Sequence, residues 1–148
     1  LACALLAACC LSTAALADDP SAPSWNLNIP ADVAIAYRAT DSHIGDLTVS
    51  DVENVGAGYY IACMISNSNL TSGTDTIPLG VALDWYQDGT CVSDHMPAGT
   101  VFALYSSVVP DMEIRGEIFT LVDDAAWDAA APGEYEATVT YHSWLGSI

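Results

Sequence analysis

Three histidines, His43, His95 and His142, supply the imidazoles that could act as general bases. The first two each stand beside a serine and an aspartate, but neighbours in sequence do not make the geometry of a catalytic triad. The chain contains no nucleophile-elbow, zinc-protease, Walker or dinucleotide-binding motif. With nineteen acidic residues, a pair of carboxylates that hydrolyses glycosides is an alternative that the sequence does not exclude. The sequence therefore predicts a protein that is not an enzyme and holds no cofactor.

Two cysteines, Cys63 and Cys91, remain once the first seventeen residues are set aside. In an oxidising compartment an isolated pair predicts one disulfide. The bond would close a loop of about 28 residues and stabilise the fold by roughly 3.6 kcal/mol in the chain-entropy model. A structural zinc site needs four closely spaced ligands, which two thiols and scattered histidines do not provide. We predict a structural disulfide between Cys63 and Cys91 and no metal site.

The net charge is −17, because nineteen acids are balanced only by Arg38 and Arg115. So few cations exclude a nucleic-acid-binding protein and a protein that docks on anionic lipid headgroups. An acidic, solvated surface is typical of a soluble secreted protein. Calcium binding by these acids stays open, although the chain has no Asp-x-Asp-x-Asp-Gly loop.

The first seventeen residues form an uncharged run of small and apolar side chains that ends in Ala15-Leu16-Ala17. An apolar region followed by a small-x-small site is typical of a secretory signal peptide. No initiator methionine or basic region precedes it, so we expect the sequence to begin inside the signal peptide. The run is too short to predict a spanning helix. We predict cleavage after Ala17, while the lipobox-like Leu6-Ala7-Ala8-Cys9 leaves lipidation at Cys9 open.

The rest of the chain is patterned as short strands. After the turn signal Pro132-Gly133, apolar and polar residues alternate strictly from Glu134 to Tyr141. Asp88-Gly89 predicts a tight turn, and Pro30 predicts a sheet edge or a switch between sheets. Similar patterns predict strands over 25–29, 33–37, 43–52, 59–65, 77–83, 101–105 and 112–118.

Regular spacing of these segments predicts an all-β fold, an antiparallel immunoglobulin-like β-sandwich of seven to eight strands. One short helical turn is expected over 123–131, with Trp127 closing the end of the core. The predicted organisation is a signal peptide over 1–17, a linker over 18–23 and a sandwich domain over 24–148.

Several aromatic residues could instead form a platform that stacks on sugars: Trp85, Tyr86, Trp144 and the pair Tyr59 and Tyr60. Tryptophans in a sandwich mostly fill the core, which is the competing interpretation. Trp144 is an even number of residues from Glu134, Glu136 and His142, the polar positions of the last strand. A regular strand would therefore point Trp144 to solvent.

Four segments carry a resemblance to a known class of proteins. They are Trp25–Val33, Ile44–Ser50, Asn69–Leu79 and Ala126–Tyr141. Together they resemble the secreted immunoglobulin-like or fimbrial-like sandwich domains of bacterial surface proteins. The resemblance implies an extracellular or cell-surface location in a bacterium and a structural or adhesive role, with no catalytic residues. The chain lacks a Leu-Pro-x-Thr-Gly sorting motif and any lysine for isopeptide cross-links.

We therefore predict a secreted or cell-surface structural or adhesive module, whose partner would be a cell-surface protein or a glycan. A carbohydrate- or ligand-binding module on the same fold is one alternative. A pilin-like subunit assembled by strand exchange is another, because thirteen alternating positions from Trp25 to Tyr37 resemble a donor strand. Two features count against exchange. Pro30, in the middle of the segment, has no main-chain N–H to donate to a sheet, and the complete closing strand leaves no evident vacant strand position in the fold. We accordingly expect the first strand to pack in its own domain and the protein to be a monomer in dilute solution.

Overall fold

The computed structural model describes the backbone of residues 3–12 and the whole of residues 21–148. The predicted cleavage site after Ala17 and the first half of the predicted linker lie outside the described residues. The elements, in chain order, are β1 (Cys3–Ser12), β2 (Ser24–Asn28), β3 (Val33–Ile35), β4 (Asp41–Glu53), β5 (Tyr59–Asn67), β6 (Leu70–Ser72), β7 (Asp75–Ile77), β8 (Gly80–Gln87), β9 (Thr90–Pro97), β10 (Val101–Ser106), β11 (Ile114–Leu121), α1 (Asp124–Ala129) and β12 (Glu134–Ser147).

These strands form two sheets packed around one core. The larger sheet follows the order β10-β5-β12-β1-β3, with β6 beside β12 and β7 beside β6. The smaller sheet follows the order β2-β4-β11-β8-β9. Neighbouring strands in the described residues are antiparallel except β1 and β12, which run parallel. The predicted all-β sandwich is confirmed, with twelve strands in the described part of the chain instead of seven or eight.

The last strand, β12, follows the predicted alternation. Tyr135, Ala137, Val139 and Tyr141 are at most 4% exposed and face the core. Glu134, Glu136 and Thr138, at the alternate positions, are exposed. Because consecutive side chains of a strand point to opposite faces, this alternation alone fixes which face of β12 is buried.

Pro30 separates the first alternating segment into two strands that belong to different sheets. β2 lies in the smaller sheet and β3 in the larger one. Pro30 is buried against Gly45, where an added Cβ would lie 2.9 Å from the Pro30 Cβ. The predicted switch between sheets is confirmed, and it follows from a residue that cannot continue a hydrogen-bonded ladder.

Two hairpins show how local turn chemistry determines the connections. Asp88 and Gly89 both adopt positive φ, 46° and 75°, between the paired residues Gln87 and Thr90. Positive φ at both central residues is what a two-residue hairpin turn requires, so the predicted turn is confirmed. The polar, turn-rich stretch 66–76, for which no strand is predicted, contains the short β6–β7 hairpin around Gly73.

Helix α1 carries Trp127 into the end of the core, as predicted. The Trp127 side chain is 1% exposed, and its Nε1 donates a hydrogen bond to the Ala39 carbonyl oxygen at 2.9 Å. Its ring meets that of Tyr37 edge-on, with 5.7 Å between centroids. Within residues 3–12 and 21–148, no helix is both long enough and apolar enough to cross a membrane.

The predicted disulfide between Cys63 and Cys91 is not formed. Cys63 is fully buried in β5 of the larger sheet, whereas Cys91 is exposed on β9 of the smaller sheet. The structure contains no bond between them. Spacing in the sequence suggested a pair, but a disulfide requires Cα atoms within about 7 Å, and the sandwich puts these residues in different sheets.

Candidate functional site

The N-terminal strand β1 occupies an inner position of the larger sheet. It pairs with β12 in parallel over ten residues, from Cys3 opposite Glu134 to Ser12 opposite Ser143. On its other side it pairs antiparallel with β3, where Ala4 lies opposite Ile35. This segment is the one whose composition predicts a signal peptide. A strand that the sequence predicts to be removed therefore lies between two strands of the remaining domain.

The position of β1, which we call the strand site, has hydrogen-bonding edges on both sides. β5 and β6 cover one edge of β12, and β1 covers the other. Without a strand here, the main-chain groups of β12 that face the strand site would lose their sheet partners. Unpaired main-chain groups at a sheet edge favour pairing with another extended segment.

The core side of the strand site is apolar. Tyr135, Ala137, Val139 and Tyr141 of β12 line one side, and Ile35 of β3 lies across from them at 2% exposure. A strand in this site buries alternate side chains beside that row, because residues in register project to the same face of a sheet.

The solvent side of the strand site is acidic at the start of β12. Glu134 and Glu136 are exposed there, in register with the strand-site positions that Cys3 and Leu5 occupy. Basic side chains at those two positions would face opposite charges across the strand pair.

Two of the three histidines meet on the outer face of the smaller sheet. His43 and His95 contact Phe119, with ring centroids 5.3 and 5.4 Å apart. His43 Nε2 lies 3.2 Å from an Asp46 carboxylate oxygen, and His95 Nδ1 lies 3.2 Å from an Asp84 oxygen. His43, Asp46 and His95 are half-exposed, whereas the Asp84 side chain is only 13% exposed.

The third histidine, His142, lies in β12 of the other sheet. Its Nε2 is 3.5 Å from the Ser66 hydroxyl oxygen, at the limit of a hydrogen bond. His142 therefore belongs to a different surface from His43 and His95.

Arg115 joins the same outer face of the smaller sheet. It donates a hydrogen bond to Glu117, lies 3.9 Å from an Asp46 oxygen and sits 4.3 Å above the Tyr86 ring centroid. The hydrogen bond from Arg115 lowers the pKa of the Glu117 carboxyl. Because Asp46 lies in β4 and Tyr86 in β8, Arg115 of β11 links three neighbouring strands on this surface.

The aromatic residues that could stack on a sugar are divided between the two sheets. Trp85 is half-buried, and its Nε1 donates to the Ala103 carbonyl oxygen at 3.0 Å. Tyr86 lies on the outer face of the smaller sheet beneath Arg115, as described above. Trp144 lies on the polar face of β12 as predicted, but is only partly exposed, and Tyr59 is in the neighbouring strand. The described residues therefore do not bring the predicted platform together.

Within the described part of the chain, no group of three or more His, Cys, Asp or Glu side chains is arranged to hold a metal ion. Acidic residues are instead spread over the surfaces of both sheets, where water solvates them.

No family model matches the chain, and no curated protein matches it. The resemblance to fimbrial-like and immunoglobulin-like surface domains stays a prediction from the residues.

The sequence does not indicate the strand site, because the composition of residues 3–12 is that of a targeting segment. In the structure the closing strand β12 extends over fourteen residues, beyond the alternation predicted from Glu134 to Tyr141. The statement that the closing strand leaves no vacancy holds only while β1 is present.

Proposed function

We propose that this chain is a secreted structural or adhesive subunit of a bacterial cell surface, without catalytic activity. Its sandwich would be completed, after removal of the N-terminal segment, by a strand from another polypeptide. This joins the structural or adhesive prediction to the strand-exchange alternative, which one observation now favours.

That observation is the position of β1 between β12 and β3. The composition of residues 1–17 predicts that the same segment is cut away during export. An exported chain would then keep the apolar row of β12 but lose the strand beside it. Exposed apolar surface next to an open edge is the feature that strand addition requires.

The proposal does not depend on where the N-terminal segment is cut. Cleavage after Ala17 removes all of β1, and lipidation at Cys9 would still remove Cys3–Ala8. The pairing with β3, from Ala4 to Leu6, is lost in both cases. Either processing route therefore opens the strand site.

Carbohydrate binding has less support than strand addition. Stacking on sugars needs aromatic rings on one exposed face, and here Trp85 and Tyr86 lie in a different sheet from Trp144 and Tyr59. The surface where His43 and His95 contact Phe119 has carboxylates nearby but no open aromatic face, because both imidazoles lie against the Phe119 ring.

Hydrogen exchange measured by mass spectrometry tests the proposal. The uncleaved chain, produced without export, is compared with the exported chain over residues 134–143. We expect amides of β12 that face the strand site to exchange at least about tenfold faster in the exported chain. A synthetic peptide with the sequence of Cys3–Ser12 should restore the protection.

Equal protection of β12 in the two forms, with no effect of the peptide, would refute the strand-completion part of the proposal. Recovery of the chain in the cytoplasm with residues 1–17 intact would refute secretion. Peptides from the β8–β9 hairpin serve as the internal control, because that hairpin lies in the other sheet and should exchange alike in both forms.

A further inference from the structure

We infer that the completing strand comes from a different kind of polypeptide, and that it is an alternating apolar segment with basic residues at its outward positions. The inference rests on the proposed function, since it names the partner of the strand site. Four observations carry it: the sequence left between the cleavage site and β2, the engagement of β2, the size pattern along β12, and the charge of the chain.

The first observation is that the stretch between the predicted cleavage site and β2 cannot fill the strand site. Between Ala17 and β2 the sequence is Asp-Asp-Pro-Ser-Ala-Pro, six residues long. It has two prolines, which cannot donate to a ladder, and no large apolar residue. The site that β1 fills is ten residues long. A second copy of the chain could not supply the strand from this segment.

The second observation is that the next alternating segment is already held in its own domain. β2 pairs with β4, and Asn26 Nδ2 donates to an Asp51 carboxylate oxygen at 2.7 Å. Trp25 Nε1 donates across the sandwich to the Ser143 hydroxyl at 3.1 Å, and Leu27 packs against the core. Giving this segment to a neighbour would break these contacts. β2 is therefore not free to be donated to a neighbouring copy.

The third observation is a size pattern along the strand site. The core-facing row of β12 reads Tyr135, Ala137, Val139, Tyr141, and Ala137 has the smallest side chain of the four. In the register of β1, the residue opposite Ala137 is Leu6, and those opposite the larger members are Ala4, Ala8 and Cys10. A large residue beside a small one is how packed positions fill space. The partner strand should repeat one large apolar residue opposite Ala137, with small ones on either side.

The fourth observation is charge. Residues 1–17 carry no charge, so the cleaved chain keeps the whole net charge of −17. Two copies would repel each other, whereas a basic segment would be attracted. Glu134 and Glu136 are exposed and lie in register with the first two outward positions of the strand site, so the attraction for basic side chains should be strongest there. Lysine or arginine at those positions fits best.

The experiment measures binding of labelled ten-residue peptides to the exported chain at low and high salt. The reference probe has the sequence of Cys3–Ser12 with Cys3→Lys and Leu5→Lys, and serine in place of Cys9 and Cys10. A matched probe carries Cys3→Glu and Leu5→Glu. We expect the lysine probe to bind about tenfold or more tightly than the glutamate probe at low salt, and less so at high salt.

Two changes test the charge and the size pattern separately. In the protein, Glu134→Lys with Glu136→Lys should reverse the preference between the two probes; both residues are exposed, so the fold should tolerate the change. In the lysine probe, Leu6→Ala should weaken binding about tenfold, because the space beside Ala137 is left unfilled.

The outcomes separate this inference from the proposed function. Binding of the Cys3–Ser12 peptide without preference for charge or for Leu6 would overturn the inference and leave strand completion standing. An exported chain that forms dimers or ladders by exchanging its own 18–37 segment would overturn it as well. Failure of every peptide to bind, with β12 equally protected in both forms, would refute the proposed function itself.

Discussion

Replacement of Trp127 by alanine should be among the single changes that lower the stability of the fold most. The indole is 1% exposed, its Nε1 donates to the Ala39 carbonyl oxygen, and its ring meets Tyr37. Truncating a buried tryptophan costs about 3–5 kcal/mol, from lost burial and from the cavity left behind. For a chain of this size each kcal/mol lowers the melting temperature by about 2–4 °C, so the expected loss is roughly 6–20 °C.

A second variant separates the hydrogen bond from the packing. Trp127→Phe keeps an aromatic ring but leaves the Ala39 carbonyl oxygen without its donor. We expect it to cost about 1–3 kcal/mol, less than the alanine variant. Thermal unfolding of the uncleaved chain, followed by near-ultraviolet circular dichroism, measures both.

Asp128→Ala is the matched control on the same helix. Its carboxylate pairs with Arg38, and the two side chains are 62% and 49% exposed. An exposed ion pair contributes at most about 1 kcal/mol, so this variant should unfold close to the unmodified chain. If Trp127→Ala were no more destabilising than Asp128→Ala, the role of Trp127 in closing the core would be refuted.

Three further predictions concern buried positions. Alkylation and peptide mapping of the native chain should label Cys91 quickly and Cys63 only on unfolding, because only Cys91 is exposed; a Cys63–Cys91 linked peptide would instead restore the sequence-based disulfide. Burial raises the pKa of the Tyr141 hydroxyl, so the unfolded chain loses this proton first and stability falls as pH rises above about 10, by up to about 1.4 kcal/mol per pH unit. Tyr141→Phe should reduce that slope and cost little at neutral pH, since no described residue bonds this hydroxyl; an unchanged slope in alkaline denaturation would contradict this. Gly116→Ala should destabilise by about 1–3 kcal/mol in urea unfolding, because its Cβ would lie 2.5 Å from Leu83 Cδ1, and an unchanged midpoint would argue against such close packing.

Much of the fold could be predicted because the deciding features are local. The alternation from Glu134 to Tyr141, the turn at Asp88-Gly89 and the break at Pro30 each depend on a few neighbouring residues. Strand β9 was not predicted. Its residues are mostly exposed, and His95 has a positive φ of 46°, so no regular apolar alternation marks the strand. The short β6–β7 hairpin escaped prediction for a similar reason, since its residues are largely polar.

The candidate site could not be predicted in the same way. Its hydrogen-bonding edges belong to β3 and β12, which are about a hundred residues apart in the chain. Which edges meet is decided by packing between the sheets, because every long-range pairing competes with others of similar local preference. The same limit explains the disulfide, because two isolated cysteines suggest a bond only until the sheets that carry them are known.

The sequence by itself determined the strand class, the buried face of β12, the burial of Trp127 and the strongly acidic charge. Periodicity, turn chemistry and composition act over a few residues or over the whole chain, so they need no knowledge of contacts. Only the tertiary structure decided that Cys63 and Cys91 lie in different sheets and that β1 runs parallel to β12. It also decided that the aromatic residues of the predicted platform are divided between the two sheets. Those facts depend on which distant segments share a sheet, and that choice is made by the packing of the whole core.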